Sequence, residues 1–250
     1  MTGRIGERVE AAARHARKVK EDHVRDVKGR RGRTDIMTIV EAWRGADVVG
    51  VGFVPPDRDR MLQVAHVMAG GFGADMVVLT VETFAVLGAK DESDPDTGET
   101  WAPNAMGEYF ERHGDANGVV TEALTLWAFN RAGDEHMQSL PYRIVGRGVE
   151  WGETAGGAPD RAEGIIPDAM RRFMSQPTVL QMTARMGVHA SSPEEEQALA
   201  DTVAVKLLGE QQGDGPPIMV MMFAEPGSVR HQVLRRVLGR SAVQDPSAWN

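Results

Sequence analysis

The sequence predicts an α/β (or α+β) protein. It should have a mixed β-sheet flanked by helices, a long N-terminal helix, and a mainly helical C-terminal region with one further strand. Three observations carry this prediction. Ala74 to Leu87 (ADMVVLTVETFAVL) puts Met76, Val78, Phe84 and Val86 on one alternating face and Val77, Leu79, Val81 and Leu87 on the other. A strand apolar on both faces is covered on both sides, which marks the centre of a sheet. Two hairpin-like pairs of strand-forming runs surround it, and capped segments with apolar spacings of three to four precede and follow them.

Taken in order, Arg4 to Lys28 reads as one helix. Its apolar stripe is thin: Ile5, Val9, Ala12, Ala16, Val19 and Val27, with His23 on the same seam. So small a stripe predicts partial packing or a helix–helix contact rather than deep burial. Gly29 to Arg33 (GRRGR) breaks the helix. Asp35 to Trp43 and Asp47 to Val54 form the first hairpin, turning at Arg44-Gly45-Ala46. Pro55-Pro56 ends it, and Asp57 caps a helix from about Arg58 to Ala69, closed by Gly70-Gly71. Strand, helix and strand in succession predict a parallel crossover into the central strand.

Residues 88–117 form an acidic, turn-rich excursion, with a short helix bracketed by Asn104 and Gly114. Gly118 to Asn130 and His136 to Trp151 make the second hairpin around Arg131 to Asp134. Residues 152–164, rich in Gly, Ala and acid, suggest a boundary. Pro167 to Ser175 and Pro177 to Met186 are short helices. Ser192-Pro193-Glu194-Glu195 is a start signal, with an N-cap serine, proline at N1 and glutamate at N3, for a helix running to about Leu208. Ile218 to Ala224 is a strand apolar on both faces, and Ser228 to Leu238 a final helix. The expected organisation is a basic helical arm (1–33), a sheet domain (34–155) and a helical region (156–250) packed on the same sheet or standing beside it.

Composition narrows the function classes. Cysteine is absent, which removes disulfides, zinc-thiolate sites and a thiol nucleophile. No apolar run approaches the roughly 18 residues that span a bilayer, and no signal-peptide core is present, so a cytoplasmic location with no membrane contact is expected. Arginine outnumbers lysine 23 to 5, which points to a GC-rich coding genome, a high-GC bacterium or one of its phages. The net charge of −8 is unevenly placed. Residues 1–33 hold 11 basic against 5 acidic residues, and the remainder 17 against 31. An acidic body disfavours non-specific nucleic-acid binding. Contact of residues 14–33 with nucleic acid is therefore weighed below docking of the helix on a protein partner or a second copy.

The candidate chemistry is a repeated placement of glutamate. Val40-Glu41-Ala42-Trp43 and Val81-Glu82-Thr83-Phe84 each set a carboxylate two residues before an aromatic, and Thr121-Glu122-Ala123-Leu124 sets another on a strand. If those strands are neighbours, Glu41, Glu82 and Glu122 converge. Paired carboxylates bind a divalent cation through hard oxygens, or raise one pKa for acid–base work. Asp96 in the acidic excursion is a further candidate ligand, although Pro95 interrupts the calcium-loop spacing there. The plainer reading, and the favoured one, pairs each glutamate with an arginine such as Arg44, Arg131 or Arg143, or leaves it at a sheet end in water. The P-loop, H-E-x-x-H and G-x-S-x-G patterns are all missing. Trp43, Trp127 and Trp151 read as sheet packing, and Trp101 belongs to the excursion.

The run VVLTVETF followed by a later strand VTEAL resembles a group of uncharacterised α/β proteins of bacteria and phages. These carry a "VVLVTEAW"-like strand and then a Glu-containing strand after a loop. The resemblance covers about residues 5–150, implies no function, and treats Glu82 and Glu122 as a linked pair. The expected function is a non-enzymatic binding or interaction protein without a required cofactor. The alternative is a divalent-metal-assisted hydrolase built on the strand carboxylates.

Overall fold

The computed structural model describes residues 3–27, 36–86, 120–157, 165–177, 190, 192–210, 218–239 and 243–249. The strands β1 (Thr38–Arg44), β2 (Asp47–Val54), β3 (Met76–Val86), β4 (Val120–Asn130), β5 (Glu135–Val145), β6 (Gly148–Trp151), β7 (Ala155–Gly157), β8 (Met219–Phe223) and β9 (Val243–Gln244) form one sheet. Its order is β6-β5-β4-β3-β1-β2-β8-β9, with β7 also paired to β5. The apolar strand singled out in the sequence, now β3, sits in the middle and pairs with β1 on one side and β4 on the other. Helix α1 (Gly3–Val27) covers one face. The other carries α2 (Arg58–Gly71), α3 (Ile165–Ser175) and α4 (Pro193–Glu210), with α5 (Val229–Leu238) against α4.

The alternation in β3 explains both layers. Met76 and Val78 join the core under α1, with Ile39, Trp43, Leu124, Leu126 and Leu140. Val77 and Leu79 join the core under α2, with Val40, Met61, Met68 and Phe72. Small residues set how closely each helix lies. On β2, Gly50 and Gly52 face α2, where an added Cβ would meet the Phe72 ring at 2.6 Å and Val64 or Met68 at 3.0 Å. Under α1, Ala12, Ala13 and Ala16 are almost wholly buried.

Three expectations are corrected. The thin stripe of α1 signals close approach, not partial packing. Its buried seam is Ile5, Val9, Ala12, Ala16, Lys20 and Val24 rather than one running to His23 and Val27. The helix therefore belongs to the folded core, and only its outer residues remain for a partner. The β2–α2–β3 connection joins strands of the same direction, but β1 lies between them, antiparallel to both. The parallel pair that makes the sheet mixed is instead β8 with β9. The run His136 to Trp151 is two strands, because Gly146 adopts φ 57° and turns β5 back into β6.

The C-terminal strand and helices follow the sequence closely. β8 pairs with β2 and extends the main sheet. α4 begins after Ser192, whose Oγ accepts from the N–H of Glu195 (3.1 Å) as the capping box requires. The segment Pro177 to Met186 and the excursion 88–117, including Trp101, lie outside the described residues, apart from Pro177 itself.

A close joint lies between α2 and α4, where a Cβ on Gly71 would stand 2.3 Å from Ala204 Cβ. Neither helix has a flexible side chain there to yield. Gly71→Ala is expected to cost about 1–3 kcal/mol by overpacking, read from urea unfolding. A midpoint equal to the parent's would show that the two helices separate freely.

Candidate functional site

The first strand glutamate, Glu41, is 1% exposed on β1. Its Oε2 accepts from the Trp43 indole N–H (3.0 Å), and its Oε1 accepts from His15 Nδ1 (3.0 Å) and Trp249 Nε1 (3.3 Å). The His15 ring lies nearly parallel to that of Trp43, with centroids 6.1 Å apart. Desolvating a carboxylate this far is tolerated because hydrogen bonds replace its water.

Glu82, four residues further along β3 than the residue facing Glu41, is partly exposed. It accepts from Lys20 Nζ, from the Ile36 N–H (2.7 Å) and from the Tyr142 hydroxyl (2.6 Å). Lys20 is fully buried, and its ammonium also sits 4.4 Å from the centroid of the Tyr142 ring. The lysine is thus held between a carboxylate and an aromatic face, the two partners that make a buried ammonium tolerable.

Register places Glu122 on the same side. It faces Tyr142 on β5 and position 84 on β3, while Glu82 faces Leu124. Cross-strand partners share a face, so Glu41, Glu82 and Glu122 all point toward the α1 side of the sheet. Glu82 and Glu122 are diagonal neighbours, roughly 7–8 Å apart along such a lattice. Glu41 faces Val78 and is displaced from Glu82 by four residues, roughly 13 Å at 3.3 Å per residue. The three carboxylates share a face without sharing a site. Among the described residues, no group of three or more His, Cys, Asp or Glu side chains is placed to hold a metal ion. Asp96 lies outside the described residues.

For Glu41 and Glu82 the expected arginine partners are engaged elsewhere. Arg44 donates to Asp201 (3.2 Å) and to the Phe72 carbonyl. Arg131 ties the carbonyls of Ala69, Ala74, Met174 and Gln176 together at 2.6–2.8 Å. Burial holds both guanidinium pKa values below the ordinary arginine range. Arg143 faces Glu150 at 3.5 Å on the exposed β5–β6 ribbon. The actual partners, Lys20 and His15, both come from α1. A signal for Lys20 was present in the sequence: it occupies the next seam position after Ala16, where a lysine must find a charge.

β1 begins at Thr38, and among the described residues β3 and β4 run on past that point, where a cleft of about 740 Å³ opens beside β3. Ile36, Glu82, Glu122 and Tyr142 line it on the α1 side. Thr38, Val81, Thr83 and Trp127 line it on the α2 side, where Met61 and Ile166 close the wall. On that second side Thr83, Thr125 and Ser139 link their hydroxyls across three strands, at 2.6 and 3.2 Å. The Trp127 indole nitrogen is buried and has no acceptor among the described residues. Glu82 and Glu122 are therefore brought to one cleft.

Comparison with known proteins adds no family. No family model, no curated protein and no solved structure matches this chain. The reading of the site rests on its own geometry.

Lys20 and Glu82 form the joint between α1 and the sheet. Lys20→Met leaves a carboxylate without its cation and is expected to cost up to about 3–5 kcal/mol. Adding Glu82→Gln in the same chain should return part of that loss, since the pair is coupled. Denaturant unfolding of the two single variants and the double variant measures the coupling. Strictly additive losses would show that the two side chains do not act together.

Proposed function

We propose that this chain is a non-enzymatic binding protein whose ligand site is the cleft beside the end of β1. The observation that carries the proposal is that Glu82, the carboxylate at the cleft, is committed to Lys20, Ile36 and Tyr142. A carboxylate held by a lysine, a main-chain N–H and a phenol is a fixed wall and not a free base or metal ligand. The cleft volume falls within the usual range for small-ligand pockets, roughly 300–1,000 Å³. Its apolar surface from Val81, Met61, Ile166 and Trp127 suits a ligand with an apolar body. Glu82, Glu122 and Asp57 outnumber Arg58 among the described residues lining the cleft, which disfavours an anion.

The alternative, divalent-metal-assisted hydrolysis, draws support from Glu82 and Glu122 lining one cleft, the pair that the resemblance also links. A nucleic-acid role for residues 14–33 draws less support. Arg17 reaches inward to Thr154 and over the Trp151 ring, Lys20 is buried, and Arg25 pairs with Asp22. Residues 28–33 lie outside the described part. No described helix is long and apolar enough to cross a membrane. A high-GC bacterial or phage source is consistent with the arginine-rich composition.

Two measurements test the proposal. A neutral naphthalene fluorophore should bind saturably, one per chain, and Thr83→Trp, which fills the cleft, should abolish that binding. Binding that is unsaturable or indifferent to Thr83→Trp would sink the cleft as the site. Thermal unfolding in millimolar Mg²⁺, Mn²⁺ or Ca²⁺ should leave the midpoint unchanged. A metal held by the fold would instead add roughly 2.7 kcal/mol at a hundredfold excess over its Kd, and such a rise would favour the hydrolase.

A further inference from the structure

The cleft beside β1 has two walls of different character, because residues from both faces of the sheet line it. On the α2 side Met61, Val81, Trp127 and Ile166 give it an apolar surface. On the α1 side it is lined by Glu82, Glu122 and the Tyr142 ring. Asp57 and Arg58, at the start of α2, add the other charged groups among the described lining residues. Carboxylates thus outnumber guanidinium groups three to one there, and the two on the sheet lie across from the apolar wall.

Two of these charges are answered from outside the cleft. Glu82 accepts from Lys20, which is fully buried behind the wall. Arg58 donates to its exposed neighbour Asp59 (3.0 Å). With both pairs set aside, the charge of the lining is still negative and is carried by Glu122 and Asp57. Asp57 gives one oxygen to the Arg60 N–H (2.8 Å) as the cap of α2, a bond that leaves its charge in place. A cleft lined by one sign of charge focuses its field and concentrates the opposite ion. Aromatic faces act in the same direction, since they attract cations. The Tyr142 ring already takes the Lys20 ammonium 4.4 Å from its centroid, and Trp127 is the second ring of the lining.

A small inorganic cation would gain nothing from the apolar wall, and an uncharged apolar molecule nothing from the acidic one. The complementary ligand carries both parts. Trp127 and Glu122 lie five residues apart on β4, roughly 16 Å at about 3.3 Å per residue. A ring system on a short chain spans that length. We infer that the cleft selects an organic ammonium ion on an apolar body, with the body against Met61, Trp127 and Ile166 and the cationic head at the Glu82–Glu122 wall. The inference names the ligand class for the binding cleft proposed above and rests on that reading.

The test uses the full chain and three fluorescent probes that share a naphthyl body and a butyl chain. They differ only in the end group: trimethylammonium, hydroxyl or carboxylate. The trimethylammonium probe should bind roughly tenfold more tightly than the alcohol, as one exposed ion pair and one cation–π contact together supply. The carboxylate should bind more weakly than either. Glu122→Gln should cut the cation-to-alcohol ratio by roughly threefold. Equal binding of cation and alcohol, or tightest binding of the carboxylate, would overturn the inference and leave the cleft standing as a site. A ratio that Glu122→Gln leaves intact would refute the placement of the head group. Failure of all three probes to bind saturably would remove the cleft reading itself, and the inference with it. Should Glu122→Gln fail to fold, salt decides on the parent. Raising NaCl from about 0.05 to 0.5 M should shrink the cation's advantage, and an advantage indifferent to salt sinks the inference.

Discussion

The structure depends on carboxylates placed where a sheet centre would ordinarily be apolar. Glu41 and Glu82 sit on the two most central strands and point under α1. A carboxylate in such a position is strongly unfavourable without donors and a counter-charge. α1 supplies His15 to one and Lys20 to the other. The helix is thereby required on this face in one register along its length. His15 and Lys20 are five residues apart on α1, a rise of roughly 7.5 Å at 1.5 Å per residue, and their two partners lie on different strands, so both contacts hold only in one placement of the helix across the sheet. A slide of one helical turn would leave both buried carboxylates without their partners. The apolar seam alone, made largely of alanine, would resist such a slide far less.

That constraint explains which parts of the fold were legible in the sequence. Local periodicity and end signals were readable because each is settled within a few residues. The two-faced pattern of β3, the proline stop after β2 and the capping box before α4 all belong to this class. The anomaly of a glutamate within β3 was readable for the same reason. Its partner was not, because Lys20 and Glu82 are 62 residues apart and nothing local couples them. Arginine was the expected partner on abundance. The arginines near the sheet are instead taken by Asp201, by Glu150 and by the carbonyls at helix ends. The thin stripe on α1 was misread because few large side chains suggested weak packing. Alanine seams bury little area per residue yet let a helix lie close on a sheet. In this protein the lysine on that seam needs the close approach in order to reach Glu82.

The cleft was not legible at all, because it arises from unequal strand lengths. β1 begins at Thr38, and among the described residues β3 and β4 continue past that point, which leaves a notch beside β3. Glu82 and Glu122 meet there through the β3–β4 register, which a sequence pattern cannot supply. Trp127 was read as sheet packing and does pack on the sheet, but its indole nitrogen is buried without an acceptor among the described residues. A buried unpaired N–H is destabilising by roughly 1–3 kcal/mol.

The three glutamates thus separate into two different uses of one physical device. Glu41 lies where no described cleft reaches and satisfies both oxygens from side chains. One of its donors, Trp249, comes from the segment that crosses the edge of the sheet, 208 residues further along the chain. Glu82 lies at an opening, and its donors include the main-chain N–H of Ile36, which fixes the chain entering β1 and so the edge of the cleft. At Glu82 the charge that anchors α1 also shapes a wall of the cleft. A purely apolar sheet centre would hold the helix by area alone and offer no acceptor at either place. The carboxylates therefore do two things at once: they set the position of α1, and they provide the acceptor for the Trp249 indole and the polar part of the cleft wall.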